Sequence, residues 1–252
     1  MFIIAVFGAL LSSAYFNNES IQTNISAPPV LTEEIAKESP QTDRLQWPDE
    51  LPIKQSREMA FSNLLGIWKI TFQAEGNFSA CDQAEAHGLL CYKGLGSLNK
   101  LQNLNRPAVL RMFNDQGKKY YITLTSLKKN TAVISVGSET MEVSLEDINS
   151  RWLGNYVLLW RVPAGYQGAL RPGSRNSSVL WLETELASIQ GRDPAAGENP
   201  VFEKDLVRQL KEFQLKEGLV PDGIVGVQTF IHLNTAAENN VPVLSGKKED
   251  KQ

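Results

Sequence analysis

Four consecutive segments with alternating apolar residues place the strongest restriction on how this chain of 252 residues can fold. The segments are 107–113, 118–127, 131–136 and 140–145. Turn-forming residues separate them at short spacing, and successive side chains of a strand point to opposite faces of a sheet. The pattern therefore predicts an antiparallel meander. A further segment, NYVLLWRVP at 155–163, is apolar enough to be a central strand.

Helical patterns occur both before and after these predicted strands. The segments with helical spacing or helix-ending glycines are 60–70, 79–91, 97–105 and 178–191. Ser144 and Asp147 form a capping box, which predicts one more short helix that ends near Trp152. Helices followed by an antiparallel sheet indicate the α+β class, and we assign this domain to residues 57–191.

The first 16 residues are apolar and uncharged. They are short for a helix that crosses about 30 Å of hydrocarbon, which takes roughly 20 residues. A signal peptide with a cleavage site ending at Ala14 is one interpretation, but no basic region precedes it. The second, which we favour, is the outer part of a membrane anchor whose cytoplasmic side is missing from this chain. Residues 17–56 are polar and interrupted by prolines, which predicts a flexible tether.

Composition excludes several classes of function. The net charge of −3 does not favour nucleic-acid binding. Two cysteines and two histidines are too few for a typical structural zinc site, so we expect neither a metal nor a cofactor. Cys81 and Cys91 form an even pair in a chain expected outside the cytoplasm, and Gly88 lets the backbone turn between them, which favours a disulfide. Two free buried thiols are the alternative.

The segment 198–236 contains two apolar helical faces joined by a turn rich in glycine. Its pattern FQ-x3-GL-x2-DGI-x-G-x2-T-x3-L resembles the peptidoglycan-binding domain of cell-wall enzymes, a three-helix unit with a shallow cleft for a muropeptide. The resemblance implies that the peptidoglycan contacts come from Asp222, Gly223, Gly226, Gln228 and Thr229. Asp222 and Thr229 are equally compatible with a structural role, because a turn of this kind needs side-chain acceptors. We expect residues 237–252 to form a disordered tail.

The layout of residues 57–178, in which NRPAVLR leads to the strand YYITL, resembles the C39-like branch of papain-type peptidases. Such a peptidase needs a cysteine on its first core helix, a histidine that opens a strand and an aspartate on the next strand. Here the helix at 58–70 has no cysteine, Tyr120 or Tyr121 occupies the histidine position, and TAVISVGSE has no aspartate. Tyrosine, with a pKa of about 10, cannot replace imidazole as a base at neutral pH. The resemblance therefore implies a degenerate papain-like domain that is not an enzyme.

The whole arrangement, with ACDQAEAHGLLC, LNRPAVLR, WLGNYVLLWR and LRPGS, resembles the periplasmic region of the general secretion pathway protein A family. That family is the accessory ATPase of type II secretion. The resemblance implies a periplasmic protein tethered to the inner membrane that binds peptidoglycan and forms homo-oligomers. Its implied partners are general secretion pathway protein B and, indirectly, the secretin, whose assembly through the wall it assists.

The chain departs from the family pattern in one feature, and two alternative functions remain. No G-x4-G-K-[ST] motif occurs, so the chain either is a fragment or has its ATPase half in a separate product. A peptidoglycan hydrolase or cysteine-peptidase-like enzyme with a wall-targeting domain is the first alternative, with Glu75, Asp82 and Glu85 as its available acids. A wall anchor that has no secretion partner is the second.

Overall fold

The computed structural model describes residues 45–74, 78–195, 200–237 and 240–245. The predicted anchor or signal segment at 1–16 and most of the predicted tether lie outside these residues. The chain divides into two compact units, 1–39 and 40–252, and every described residue belongs to the second unit. No helix within the described ranges is long and apolar enough to span a bilayer.

Six strands of the described chain form one antiparallel sheet in the order β1-β6-β2-β3-β4-β5. The strands are β1 Leu89–Leu95, β2 Ala108–Phe113, β3 Lys119–Leu127, β4 Thr131–Val136, β5 Glu139–Ser144 and β6 Trp152–Arg161. Strands β2 to β5 are the predicted meander. Strand β6 returns to pair with both β2 and β1, so it is central, as its apolar composition predicts.

Seven α-helices accompany this sheet in the described residues. They are α1 Ser56–Ile67, α2 Ala80–Glu85, α3 Leu98–Leu104, α4 Leu145–Arg151, α5 Ser177–Gln190, α6 Lys204–Lys216 and α7 Val227–Ala236. The side chain of Ser144 caps α4 by accepting a hydrogen bond from the Asp147 amide, as the capping box predicts. Gly191 ends α5 in the left-handed conformation, with φ of 64°. The α+β class is confirmed.

The two faces of the sheet are covered by different helices. Helix α1 packs Phe61 and Leu64 against Val109 of one face. On the other face, Leu110 joins a larger cluster that includes Leu101 of α3 and residues of α5, α6 and α7. Because neighbouring strand residues point to opposite faces, β2 contributes to both clusters at once.

Residues 45–55 differ from the predicted tether at 17–56, because they pack against the sheet domain. Leu45 is fully buried, and its carbonyl accepts a hydrogen bond from the Tyr120 hydroxyl at 2.6 Å. Trp47 is 7% exposed and donates through Nε1 to the Leu51 carbonyl at 2.9 Å. Among the described residues, packing against the sheet domain therefore includes 45–56, which precede the predicted boundary at residue 57. Two isolated apolar side chains anchor a segment that is polar on average.

The predicted disordered tail at 237–252 is wrong for residues 240–245. Leu244 is 2% exposed, and its carbonyl accepts a hydrogen bond from the Leu127 amide at 2.9 Å. The Ser245 amide donates to Asn105 Oδ1 at 2.9 Å. The sequence VPVLS thus returns to the sheet domain through one buried leucine and through hydrogen bonds of Leu244 and Ser245. Residues 246–252 lie outside the described residues.

Helix α5 packs with α6 and α7, although the sequence analysis placed it in the domain at 57–191. Trp181 of α5 lies against Phe230 of α7, with ring centroids 5.3 Å apart. Glu183 of α5 binds Arg192, whose guanidinium also reaches Gln209 of α6. The three-helix unit therefore begins near residue 177. Only two of its helices were recognised in the motif, so its first helix was given to the wrong domain.

The Glu183 carboxylate should make a measurable, pH-dependent contribution to stability. Its side chain is 6% exposed and accepts hydrogen bonds from Arg192 Nη1 at 2.7 Å, Arg192 Nη2 at 3.1 Å and the Ala195 amide at 2.7 Å. The Arg192 hydrogen bonds lower the pKa of Glu183. Stability from this group is therefore present above the unfolded-state pKa and is lost as the pH falls through the lower folded-state pKa.

We expect Glu183→Gln to lower the free energy of unfolding by about 2–3 kcal/mol at neutral pH, because it breaks a charge-assisted network in a buried position. Urea denaturation should show the difference from wild type shrinking as the pH falls below the usual glutamate pKa of about 4.3 and through the lower folded-state pKa of Glu183. Glu212→Gln is the control, since the Glu212 side chain is 60% exposed and pairs with Arg208 at the surface. A difference that stays constant with pH would contradict the assignment.

Candidate functional site

Gln214 of α6 organises the glycine-rich turn. Its side chain is buried, with 1% of the residue exposed. Nε2 donates to Asp222 Oδ1 at 2.9 Å and to the Ile224 carbonyl at 3.0 Å, while Oε1 accepts from the Gly223 amide at 3.0 Å. A single amide side chain therefore pins the turn to the helix. The motif contains Gln214, but the sequence analysis did not assign it to the site.

Asp222 and Thr229 make hydrogen bonds within this turn. Asp222 Oδ1 also accepts from the Ile224 amide at 2.9 Å, which closes a local loop. Thr229 is 5% exposed, and its hydroxyl oxygen lies 3.4 Å from Gln214 Nε2. These contacts favour the structural role that the sequence analysis left open for both residues.

The remaining predicted site residues lie in three different environments. Gly223 is buried at the base of the turn, with φ of 75°. Gly226 precedes α7 with extended backbone, and a Cβ built there would meet no atom within 4 Å. Gln228 faces the sheet domain, because its Oε1 accepts from Lys100 Nζ at 2.7 Å and its Nε2 donates to the Tyr92 hydroxyl at 3.4 Å. The structure therefore gathers Asp222, Gly223 and Gly226 at the turn but directs Gln228 to the domain interface.

A groove of about 420 Å³ adjoins the turn on the outer face of α6. Its lining residues are Lys204, Val207, Arg208, Lys211, Glu212, Leu215 and Pro221. A Cβ at Gly223 would come within 2.9 Å of Lys211 Cε and 3.0 Å of Val207 Cγ1, so only glycine lets the turn approach the helix this closely. Three cations and one carboxylate surround an apolar strip, which suits a ligand with both carboxylates and small apolar groups.

The sequence carried a usable signal for this groove. Val207, Lys211 and Leu215 follow one another at intervals of four, so they form a single stripe along α6. Leu215 is 70% exposed. Apolar side chains on both sides of a lysine, on the outer face of a charged helix, indicate contact with another molecule. The prediction relied instead on the buried stripe of Leu206, Leu210 and Phe213.

A larger cleft of about 1070 Å³ lies on the α1 face of the sheet. Its floor is formed by Val109 and Arg111 of β2, Tyr121 of β3, and Asn155 and Val157 of β6. Its walls come from the first turns of α1 and from the described residues Phe72, Ala74 and 78–82. Of the two tyrosines proposed for the histidine position, Tyr121 faces this cleft, whereas Tyr120 is fully buried.

The described lining of the cleft contains no histidine, and its cysteine is bonded. Cys81 forms a disulfide with Cys91, which ties α2 to β1 with Cα atoms 5.6 Å apart. His87 is exposed in the turn after α2, and His232 is buried in α7 with Nδ1 3.2 Å from a Glu217 carboxylate oxygen. Burial and, to a smaller extent, the neighbouring Tyr92 together raise the pKa of Tyr156, another lining residue, to about 12. The Tyr156 phenol therefore stays neutral at physiological pH.

The helical domain is fastened to the sheet domain by buried contacts. Arg106 is fully buried, and its Nη2 donates to the Ile231 carbonyl of α7 at 3.1 Å. Burial lowers the pKa of Arg106 to about 10, which still leaves the guanidinium charged at neutral pH. Phe230 packs against Trp160 of β6, with ring centroids 5.6 Å apart. The groove and the cleft thus belong to one compact unit.

Comparison with known proteins assigns both domains. Residues 49–162 match the family described as GspA, peptidase C39-like domain, and residues 175–233 match the putative peptidoglycan binding domain. General secretion pathway protein A of Aeromonas hydrophila is 31% identical over 224 residues, which are 88% of this chain and 40% of that protein. The chain is a homologue of general secretion pathway protein A. A putative general secretion pathway protein A of Escherichia coli (strain K12) is also 31% identical, over 69% of this chain and 35% of that protein.

These matches confirm the predicted family, fold class and domain types. The chain spans less than half the length of the two curated relatives. The match that begins at residue 175 includes α5, in agreement with its packing against α6 and α7.

Two solved structures are also similar. A periplasmic domain of the EpsAB fusion protein of the Vibrio vulnificus type II secretion system has a TM-score of 0.49 and 20% identity over 69% of this chain and 75% of that chain. The peptidase domain of Streptococcus mutans ComA has a TM-score of 0.34 and 14% identity over 44% of this chain and 94% of that chain.

Proposed function

We propose that this protein is a non-catalytic peptidoglycan-binding scaffold of type II secretion. It works in the periplasm, tethered to the inner membrane, and assists assembly of the secretin through the cell wall together with general secretion pathway protein B. The observation that carries the proposal is the groove beside the glycine turn, which lies in a domain of the peptidoglycan-binding family. The Cys81–Cys91 disulfide supports an oxidising compartment.

The groove has the chemistry that a peptidoglycan stem peptide requires. Such peptides carry carboxylates and alanine methyl groups, which match the lysines and the apolar strip of α6. We assign Lys211, Val207 and Leu215 to ligand contact, with Asp222 and Thr229 holding the turn that shapes the groove. Gly226 leaves open surface beside them, so it stays in the proposed site.

Several features support a role without catalysis. The described lining of the cleft offers neither an imidazole nor a free thiol, so the thiolate and the base of a cysteine peptidase are both missing among these residues. Among the described lining residues the two acids are Glu58 and Asp82, while Glu75 lies outside the described part of the chain. Asp82 accepts a hydrogen bond from the Ser79 amide at 2.8 Å as part of the α2 capping box, which accounts for its position without a hydrolytic role.

Co-sedimentation of the full chain with purified peptidoglycan sacculi tests this proposal. Lys211→Glu places a negative charge in the groove, and Lys216→Glu makes the same change on an exposed position of the same helix outside the groove lining. We expect wild type and Lys216→Glu to pellet, and Lys211→Glu to bind about tenfold more weakly, a change of about 1.4 kcal/mol. Gly226→Trp should also weaken binding, because its side chain fills the open surface beside the turn.

Other outcomes of the same experiment would count against the proposal. Released muropeptides in the supernatant would favour a hydrolase, and equal pelleting of Lys211→Glu and Lys216→Glu would exclude the groove. Wild-type protein that stays in solution would exclude peptidoglycan binding itself. Co-purification with protein B separates the secretion scaffold from a wall anchor that has no secretion partner.

A further inference from the structure

We propose that the cleft of the sheet domain binds an extended acidic peptide segment of a partner protein. The inference deepens the proposed scaffold role by naming the site and the chemistry through which it would hold a partner. It does not depend on peptidoglycan binding, which uses the groove on α6. The proposal follows from the size, the charge and the rim of the cleft.

The cleft is large enough for a peptide. Its volume of about 1070 Å³ is more than twice that of the groove on α6. Ligand pockets commonly have volumes of about 300–1,000 Å³, so the cleft is at the upper end of that range. Its floor is one face of the sheet, and Lys93, Gly94 and Leu95 of β1 are among its lining residues.

The charge of the cleft is opposite to that of the chain. The described lining residues include four cations, Lys54, Arg57, Lys93 and Arg111, and two carboxylates, Glu58 and Asp82, although the net charge of the chain is −3. None of the four cations forms a salt bridge with a carboxylate in the part of the chain that the structure describes. The cleft is therefore complementary to a ligand that brings its own carboxylates.

Among the four cations, Arg111 has a guanidinium donor that lacks an acceptor in the described part of the chain. It stands on the floor of the cleft, and its Nη2 donates to the neutral Oδ1 of Asn155. Its Nε is buried and has no hydrogen-bond partner among the described residues. A guanidinium presents donors that match a carboxylate in a bidentate arrangement, so a ligand carboxylate at this point would supply acceptors for them.

Exposed hydrophobic side chains border the charged cleft. Phe78 and Leu95 line it and are each 72% exposed. Leu153 is 68% exposed and precedes Gly154, where a Cβ would lie 3.3 Å from the Leu95 side chain. Large exposed apolar side chains beside a recess are typical of sites that bind other proteins. The alanine-rich stem peptides of the wall have no large apolar side chains to bury against Phe78 and Leu95, whereas a protein segment does.

Strand β1 explains why an extended ligand fits best. It is at the end of the sheet and pairs with β6, and no other described strand lies along its second edge. An extended peptide can hydrogen-bond to the free edge of a strand while its side chains enter neighbouring pockets. Acidic side chains would then reach Lys93 and Arg111, and apolar ones would cover Leu95.

Binding of a short fluorescent peptide with alternating glutamate and leucine residues to the full chain tests the proposal. The comparison ligands are the same peptide with lysine in place of glutamate, and soluble muropeptides. The variants are Lys93→Glu and Arg57→Glu in the cleft, with Lys118→Glu as an exposed control outside the lining. An acid in the first turn of α1 is favourable for the helix, so Arg57→Glu should leave folding intact.

We expect wild type and Lys118→Glu to bind the acidic peptide, and each cleft variant to bind it about tenfold more weakly. Equal binding of the lysine peptide, equal affinity of all variants, or displacement of the acidic peptide by muropeptides would overturn the proposal. Sacculus pelleting of Lys93→Glu at the wild-type level would show that the two sites are separate. If the wild-type protein does not pellet with sacculi but still binds the acidic peptide, only the peptidoglycan proposal is rejected.

Discussion

Gln214→Leu is expected to lower the free energy of unfolding by about 3–5 kcal/mol, because leucine preserves the volume but leaves several buried polar groups without a partner. The amide side chain contacts the Asp222 carboxylate, the Ile224 carbonyl and the Gly223 amide. Urea denaturation followed by circular dichroism measures the loss. The same variant should fail to pellet with sacculi, since the turn that borders the groove is no longer held against α6.

Two further variants make this prediction specific. Gln214→Glu retains the acceptor for the Gly223 amide but places a carboxylate near Asp222, so it should be unstable at neutral pH and partly recover as the pH falls and one carboxyl becomes protonated. Gln116→Leu changes an exposed glutamine and should alter stability by less than about 0.5 kcal/mol. A Gln214→Leu variant as stable as Gln116→Leu would show that the turn is held by other contacts.

The sheet was largely predictable from the sequence because its strands are buried in a regular way. In β3, Tyr120, Ile122 and Leu124 are all fully buried, and this is the alternation that the pattern analysis detected. Strand β1 was missed because LLCYKGL has glycine where its alternation would continue. There the Tyr156 ring occupies the space that a Cβ at Gly94 would need. The need for glycine at position 94 thus arises from a contact with a residue distant in the sequence, which the local pattern does not reveal.

The candidate site was predictable only in part. The motif located the turn and its glycines. It did not show that Gln214 joins the turn to α6, because the hydrogen-bond partners of Gln214 become its neighbours only when the chain folds back. Gln228 was assigned to ligand contact, whereas its amide bonds to Lys100 and Tyr92 of the other domain. That difference has a physical cause, since an exposed face of an isolated helix becomes an interface when a second domain packs on it.

Arg106→Ala is expected to lower the free energy of unfolding by about 3–5 kcal/mol and to loosen the helical domain from the sheet domain. The Arg106 guanidinium donates to the Asn105 carbonyl at 3.0 Å and to the Ile231 carbonyl at 3.1 Å. Alanine removes both donors and leaves a cavity in a fully buried position. Limited proteolysis of the folded protein should then cut more rapidly between β6 and α5, and the unfolding transition should broaden or divide.

Arg106→Met distinguishes the loss of packing from the loss of charge. No described carboxylate pairs with the buried guanidinium, its Nε has no hydrogen-bond partner, and burial lowers its pKa to about 10. Methionine fills much of the volume and removes this desolvated charge, so its cost should stay below about 2 kcal/mol, even though two carbonyls lose their donor. If methionine and alanine destabilise the protein equally, the hydrogen bonds to α7 hold the domains together. If methionine preserves both stability and protease resistance, shape at this position holds them, and the charge serves only to select the one orientation in which the Ile231 carbonyl meets a donor.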